Sequence, residues 1–211
     1  MRDPDCVEFL QWALPRMRMR WPGFRRVRRQ VCKRIARRLR ELGCRDLDDY
    51  RALLNTDAAE WSQLDSLCRI TISRFYRDRA VWDHMGDVVL PELTDLARRR
   101  GDAELRCWSV GCGSGEEPYT VAIVWRSKAR AAEPFPLSIL AVDADAKLLG
   151  RARRGVYDEP SLRDLPDERR GCFVAEGSRY RIDRVYREPV TFVRQDVRVE
   201  LPNDRFHLVL C

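Results

Sequence analysis

An apolar run, three alternating glycines and a helical pattern follow one another in the middle of the chain. The run Leu105–Val110 is typical of a buried strand, and residues Glu116–Arg126 have helical periodicity. Between them lie Gly111, Gly113 and Gly115, which can adopt positive φ and let a ligand approach the main chain. A strand, a glycine turn and a helix in this order predict a nucleotide-type binding site at the start of the helix.

The first turn of the predicted helix is acidic, because it begins with Glu116 and Glu117. Two carboxylates disfavour a pyrophosphate and favour a ligand with positive charge. The amino group and the sulfonium of S-adenosylmethionine satisfy this requirement. An ordinary βα turn is the alternative, since a glycine turn alone is a weak signal.

Further strand-like runs follow the glycine turn and define the fold class. Leu137–Val142 ends in Asp143, which can accept hydrogen bonds from both hydroxyls of a ribose or can cap the next helix. Val190–Val193 leads into Asp196, and a last run covers Phe206–Cys211. The order βαβα and then β predicts an α/β fold with a parallel, Rossmann-like sheet covered by helices.

The part of the chain before the first strand has only helical patterns. Apolar residues recur every three or four positions from Phe24 to Leu39, and Gly43 is predicted to end that helix. Asp46 and Asp57 are predicted to cap two short helices, and Pro91 fits the first turn of another. We therefore predict an all-helical domain over residues 1–100 and the sheet domain over 101–211.

The sheet domain is predicted to contain two irregular pieces before its third strand. Residues 161–170 have the pattern of a short helix, and residues 172–194 that of short antiparallel strands inserted into the sheet domain.

Positive charge is concentrated near the N-terminus. The net charge is +7, and twelve arginine or lysine residues but no acid lie between Arg16 and Arg40. Such a helix predicts an acidic partner, and phosphate groups of a nucleic acid are one alternative. A nucleic-acid partner ranks second because no aromatic residues for base stacking interleave the basic ones.

Composition excludes several other classes of protein. The 211 residues are 45% hydrophobic, but no apolar run approaches the length of a membrane span, and no signal-peptide pattern is present, so we expect a cytoplasmic protein. His84 and His207 are far apart, which argues against a zinc site. The eight cysteines lack a C-x-x-C pair and are expected to be reduced core residues: Cys6, Cys32, Cys44, Cys68, Cys107, Cys112, Cys172 and Cys211.

Four motifs of the sequence match the signatures of one known protein family. Gly113–Tyr119 is similar to the family's S-x-G-E-E-P-Y signature, and Thr71–Asp78 to its N-x-T-x-F-F-R-[DE] segment. Val142–Asp145, followed by Ala152–Tyr157, resembles D-I-D and A-R-x-G-x-Y, and Phe206–Cys211 resembles F-D-[LV]-I-[FL]-C. With these motifs the chain resembles the CheR-type chemotaxis receptor methyltransferases. The resemblance covers essentially the whole chain and implies methyl transfer from S-adenosylmethionine to glutamate side chains of receptor proteins.

The resemblance also assigns roles to residues. Arg77 and Ser73 are expected beside the methionine end of the cofactor and the incoming carboxylate, with Thr71 at the position of the family's asparagine. Asp143 is expected at the ribose and Asp196 near the adenine. Either Glu116 or Glu117 would bind the cofactor's amino group, with a preference for Glu116.

Departures from the family pattern limit what the resemblance implies. Thr71, Tyr76 and His207 replace the family's asparagine, phenylalanine and aspartate, which bears on the substrate class. The inserted segment lacks the long glycine-rich loop with which members grip a receptor peptide, so we do not expect that tether.

The length of the sheet raises one more alternative. Methyltransferase sheets usually have seven strands, and the fourth predicted strand is the last in this sequence. The chain is therefore expected to be a fragment, and an unusually small domain that closes its sheet by other means is the alternative. A non-catalytic docking module that binds S-adenosylmethionine, or no ligand, is therefore a third function class.

Overall fold

The computed structural model describes residues 2–69, 73–128 and 135–211. The chain divides into two compact units, Met1–Thr71 and Ile72–Cys211. The division lies at residue 71 rather than near residue 101, where the sequence analysis placed it. The reason is packing: Trp82 and Leu90 lie in one hydrophobic core with Leu105 of the first strand.

The first unit consists of helices with short connections. They are α1 Asp3–Arg16, a 3₁₀ turn Trp21–Phe24, α2 Arg28–Leu42, α3 Leu47–Thr56 and α4 Ala58–Cys68. The apolar face of α2 is buried at Val31, Ile35 and Leu39, as the spacing predicted. The helix begins at Arg28 rather than near Phe24, which lies in the 3₁₀ turn.

The predicted helix ends of this unit are present. Gly43 closes α2 in the left-handed conformation, with φ of 71°. The side chain of Asp46 accepts hydrogen bonds from the main-chain N–H groups of Asp48 and Asp49, and Asp57 caps α4 in the same way.

One cysteine pair differs from the expectation of reduced thiols. Cys6 of α1 and Cys32 of α2 form a disulfide, with their Cα atoms 6.0 Å apart. Both residues lie in the core of the first unit, where the packing of α1 on α2 brings them together. Cys44, Cys107, Cys112, Cys172 and Cys211 are free thiols, and Cys68, Cys107, Cys112 and Cys172 are buried.

The second unit contains the sheets and the helices that cover them. Its helices are α5 Arg79–His84, α6 Leu90–Arg100, α7 Glu116–Lys128, α8 Ala146–Arg154, α9 Glu159–Leu162 and α10 Arg184–Arg187. Its strands are β1 Leu105–Val110, β2 Leu137–Asp143, β3 Val156–Asp158, β4 Phe173–Glu176, β5 Arg179–Ile182, β6 Val190–Arg194 and β7 Leu208–Leu210.

The main sheet is parallel, as predicted. Its strand order is β6-β2-β1-β7. Val110 lies opposite Val142, and Asp143 lies opposite Arg194. The carboxyl ends of β1, β2 and β6 therefore meet at one edge of the sheet, which is where ligands bind in open α/β sheets.

The inserted segment forms a second, antiparallel sheet with the order β3-β5-β4. The prediction of short antiparallel strands after residue 172 is confirmed, and the sheet also recruits β3 from before the predicted insertion. The helix predicted over residues 161–170 is instead split into α9 and a 3₁₀ helix, Asp167–Cys172.

Pro91 lies in the first turn of α6, as predicted. Helical structure continues from α5 through a π turn, Met85–Val89, into α6. Proline lacks an N–H and its ring collides with the preceding turn of an α-helix. The wide turn directly before Pro91, in which the N–H of Leu90 bonds the carbonyl of Met85, accommodates both effects.

A buried ion pair connects three helices of the first unit. Glu60 of α4 is only 4% exposed. Its carboxylate accepts from Arg38 Nε at 3.0 Å, from an Arg38 terminal nitrogen at 2.6 Å and from the Tyr50 hydroxyl at 2.7 Å. The bond to Arg38 is the main reason that the pKa of Glu60 lies below its ordinary value.

We expect Glu60→Gln to lower the free energy of unfolding by roughly 2–4 kcal/mol at pH 7, because the Arg38 charge loses its buried partner. The loss should shrink as the pH falls through the lowered pKa of Glu60, where the wild type is protonated too. Urea unfolding at pH 7 and at a series of pH values below the ordinary pKa of a glutamate measures both effects.

Glu41→Gln is the matched control. Glu41 is half exposed and pairs with Arg37 and Arg38 at 3.4 and 3.5 Å. Its loss should cost less than about 1 kcal/mol, as exposed ion pairs do. Equal costs for the two variants would contradict a special role for the Glu60 network.

Candidate functional site

The glycine turn is anchored to the end of β2 by main-chain hydrogen bonds. The N–H groups of Gly111 and Cys112 donate to the carbonyl of Val142 at 2.8 and 3.0 Å. Gly111, Gly113 and Gly115 have φ of 70°, 57° and 92°, so each occupies the left-handed region that favours glycine. The turn predicted from the sequence is therefore present between β1 and α7.

Asp143 lies against this turn. Its Oδ2 accepts from the N–H of Gly113 at 2.9 Å, and its Oδ1 accepts from the N–H of Asp145 at 2.8 Å. A carboxylate has about four lone-pair sites, so both oxygens retain capacity for further donors. The helix α8 is capped by the side chain of Asp145 rather than by Asp143.

Gly115 is required for packing as well as for its φ. A Cβ at this position would lie 3.0 Å from the Cβ of Ala152, 3.1 Å from the ring of Phe192 and 3.2 Å from the ring of Tyr119. The start of α7 therefore approaches α8 and β6 as closely as the main chain allows.

Glu116 is the most deeply buried acid of the site, with 2% exposure. Burial raises the pKa of its carboxyl group, although hydrogen bonds to the side chains of Ser73 and Ser114 and the charge of Arg151 act in the opposite direction. Its Oε2 is buried and has no hydrogen-bond partner among the described residues. A buried oxygen without a hydrogen bond destabilises the ligand-free protein, and it can accept a hydrogen bond from a ligand.

Glu117 has a different environment. Its Oε1 accepts from the hydroxyl of Ser109 on β1 at 2.6 Å, and burial raises the pKa of this carboxyl group too. The adjacent carboxylates thus face different partners, and Glu116 is the one with an unsatisfied oxygen.

The segment before α5 reaches the glycine turn through Ser73, whose side chain bonds Glu116. Farther along, Tyr76 and Asp78 have φ of 57° and 63°, which is uncommon for residues other than glycine. Conformations of this kind cost of order 1–3 kcal/mol each and are frequent at functional sites. Tyr76 is fully buried, whereas the side chain of Arg77 between them is 52% exposed.

The remaining predicted site residues are Thr71, Arg77 and Asp196. Thr71 lies outside the described residues. Arg77 has the carboxylate of Asp78 3.9 Å from its Nε. Asp196 follows Gln195, whose N–H bonds the carbonyl of Asp143, but both Asp196 oxygens accept from the Arg198 side chain at 2.6–2.9 Å.

Sequence reasoning missed several residues that shape the site. Ser109 and Ser114 hold the two carboxylates, and Tyr157 donates its hydroxyl to the carbonyl of Ser114 at 2.7 Å. Ser109 could have been noticed as a polar residue inside an apolar strand. Nothing in the sequence indicated the partner of the Tyr157 hydroxyl.

The donors and acceptors fit S-adenosylmethionine better than a phosphate ligand. The unsatisfied oxygen of Glu116 suits the ligand's amino group, and Asp143 can accept further from ribose hydroxyls. A pyrophosphate would face two carboxylates at the start of α7. Within the described ranges, no cluster of acids, histidines and cysteines could hold a metal ion.

Comparison with known families agrees with this fit. The chain matches the model of the CheR methyltransferase SAM-binding domain over residues 71–211 and that of the CheR methyltransferase all-alpha domain over residues 27–65. The described helices include none that is long and apolar enough to cross a membrane.

Individual relatives cover most of this chain. It is 35% identical to a chemotaxis protein methyltransferase of Listeria innocua over 159 residues, which are 75% of this chain and 58% of that protein. It is 32% identical to the Escherichia coli protein of that name over 153 residues, 72% of this chain and 50% of the relative. A probable chemotaxis protein methyltransferase of Rhizobium etli is 29% identical over 189 residues, 86% of this chain and 70% of the relative. The chain thus spans a little over half the length of the Listeria relative.

The burial of Glu116 predicts a specific pH dependence of stability. Because the folded state raises the pKa of this carboxyl, it holds the proton more tightly than the unfolded state. The wild type should therefore lose stability relative to Glu116→Gln as the pH rises through the raised pKa. Urea unfolding of both proteins at pH 5 and pH 8 tests this, and a constant difference between them would contradict it.

Proposed function

The chain belongs to the CheR methyltransferase family, and from this premise we propose that it transfers a methyl group from S-adenosylmethionine to glutamate side chains of a receptor-type protein. The buried, unsatisfied oxygen of Glu116 at the glycine turn is the observation that carries the proposal, because it needs a cationic donor that the described residues do not supply.

Different parts of the cofactor would bind to different residues around the glycine turn. Glu116 and Ser73 would hold its amino-acid end, and Asp143 would hold the ribose. Asp196 would lie near the adenine, where its ion pair with Arg198 would have to share or yield an oxygen. Glu117 would not contact the cofactor directly, because its Oε1 already accepts a hydrogen bond from the hydroxyl of Ser109.

The reaction requires little acid–base chemistry. When bound, S-adenosylmethionine supplies a methyl group on a positively charged sulfur. A glutamate substrate is already ionised at neutral pH, so this chain need not provide a general base. Its residues contribute orientation and exclusion of water, which otherwise stabilises the separated charges.

Arg77 is the proposed ligand of the incoming carboxylate. Its side chain is half exposed, while the left-handed residues on both sides fix the bend of the main chain around it. The planar guanidinium can hold a carboxylate through two parallel hydrogen bonds. Thr71 precedes this segment and is proposed to border the same site.

We also propose that an exposed basic stripe on the first unit binds an acidic helical substrate. The stripe consists of Arg26, Arg29, Lys33, Arg37 and Arg40, which are all exposed and are spaced by three or four residues. Arg37 pairs with Glu41 at 3.4 Å, whereas the other four have no ion-pair partner within the part of the chain that is described. A row of this kind complements a glutamate-rich helix.

The stripe excludes several arginines that the sequence pattern had included. Arg28 pairs with Asp3 at 3.1 Å, and Arg38 pairs with Glu60. Arg34 donates to the carbonyls of Leu67 and Arg69 at 3.2 and 2.6 Å. These three side chains stabilise the first unit, so they are unsuited to a test of docking.

Titration with S-adenosylhomocysteine tests the cofactor site. We expect Glu116→Gln to weaken binding by about 10- to 100-fold, the value of a hydrogen bond to a charged group. Asp143→Ala should abolish measurable binding. Glu117→Gln is the matched control and should have a smaller effect than Glu116→Gln. A larger loss in the control would reassign the amino-group contact to Glu117.

Methyl transfer to a glutamate-rich helical receptor segment tests the reaction. We expect base-labile methyl esters, and Arg29→Glu with Lys33→Glu should raise KM at least tenfold with little change in kcat. The exposed pair Arg99→Glu with Arg205→Glu changes the net charge equally and should leave KM within about twofold. Base-stable methylation of RNA instead of the protein would overturn the proposed substrate class.

A further inference from the structure

We propose that Tyr157 is a positioning residue that holds the glycine turn and the Ser73–Asp78 segment against each other around Glu116. The proposal concerns the same S-adenosylmethionine site as the proposed function and rests on it. Tyr157 lies on β3, in the small antiparallel sheet, and its side chain is not expected to touch the reacting groups.

The hydroxyl of Tyr157 contacts the glycine turn directly. It donates to the main-chain carbonyl of Ser114 at 2.7 Å, and Tyr157 is only 1% exposed. Ser114 lies between Gly113 and Gly115, two residues that hold left-handed conformations. The hydroxyl therefore fixes the one non-glycine residue in this part of the turn, and the side chain of that residue bonds the Glu116 carboxylate.

The ring of Tyr157 contacts the second part of the site. It packs edge-to-face on Phe75, with 4.8 Å between the ring centroids. Phe75 is fully buried, and its N–H donates to the carbonyl of Ser161 at 3.0 Å. Ser73, two residues before Phe75, bonds Glu116. The contacts thus form a closed circuit from Tyr157 through Ser114, Glu116 and Ser73 to Phe75 and back.

A closed circuit restrains Glu116 from two directions. Ser114 and Ser73 reach its carboxylate from different segments, and Tyr157 touches both of these segments. If either contact of Tyr157 were lost, one of the two hydrogen-bond donors to Glu116 would gain freedom. A ligand would then have to order this donor on binding, at a cost in affinity.

Tyr119 provides an internal comparison. It is equally buried, and its hydroxyl also donates to a main-chain carbonyl, that of Ala152, at 2.9 Å. That carbonyl belongs to the last turn of α8 and not to the glycine turn. Removing one hydroxyl from each tyrosine therefore deletes similar hydrogen bonds at a linked and an unlinked position.

The experiment compares Tyr157→Phe with Tyr119→Phe in the full chain. Tyr157→Phe should weaken S-adenosylhomocysteine binding roughly three- to tenfold, as expected for one hydrogen bond, and Tyr119→Phe by less than twofold. In the free protein, hydrogen exchange of the main-chain amides of residues 113–116 should become faster in Tyr157→Phe alone. Both variants keep the ring, so the edge-to-face packing is retained.

Two results would overturn the positioning role. One is an equal effect of the two substitutions on affinity and exchange, which would indicate general loosening of the core. The other is unchanged exchange at residues 113–116 in Tyr157→Phe. If the wild type fails to bind S-adenosylhomocysteine while the exchange difference is present, the proposed function falls and the positioning role stands.

Discussion

The parallel pairing of β1 with β2 is the constraint on which the rest of the second unit depends. It brings the end of β1 level with the end of β2, so that two N–H groups of the glycine turn can share the carbonyl of Val142. The same alignment places the carboxylate of Asp143 on the N–H of Gly113. A shift by one residue would turn Asp143 to the opposite face of the sheet and remove the acid from the turn.

The site concentrates unfavourable local features that the surrounding core offsets. Glu116 is buried with one unsatisfied oxygen, and two non-glycine residues beside Arg77 hold left-handed conformations. Packing in the core offsets the cost of these features. Phe75 and Tyr76 are fully buried, and the ring of Phe75 packs on Tyr157 and Phe173 with centroid distances of 4.8 and 4.9 Å. Deep packing next to strained backbone is the arrangement expected where binding geometry matters more than local stability.

Much of the fold was predictable because it follows from local rules. Three features determine structure over only a few neighbouring residues: the alternating glycines, cap residues such as Asp46, and the apolar periodicity of α2. The errors arose where distant packing decides. The Cys6–Cys32 disulfide and the division at residue 71 both depend on contacts that spacing does not encode. For the site, the acids were visible in the sequence, but the partners that separate Glu116 from Glu117 were not.

The basic helix α2 contains two kinds of arginine, with consequences for which substitutions this surface tolerates. Arg38 binds both oxygens of Glu60 with its fork, and Arg34 spans two carbonyls at the end of α4. A lysine ammonium cannot reproduce the planar fork of a guanidinium, so arginine is required at position 38, whereas Arg34 reaches both carbonyls with one terminal nitrogen. The exposed stripe contains a lysine at position 33 beside its arginines. The planar fork is thus a structural requirement at one position on the packed side of this helix, whereas its exposed side accommodates both arginine and lysine.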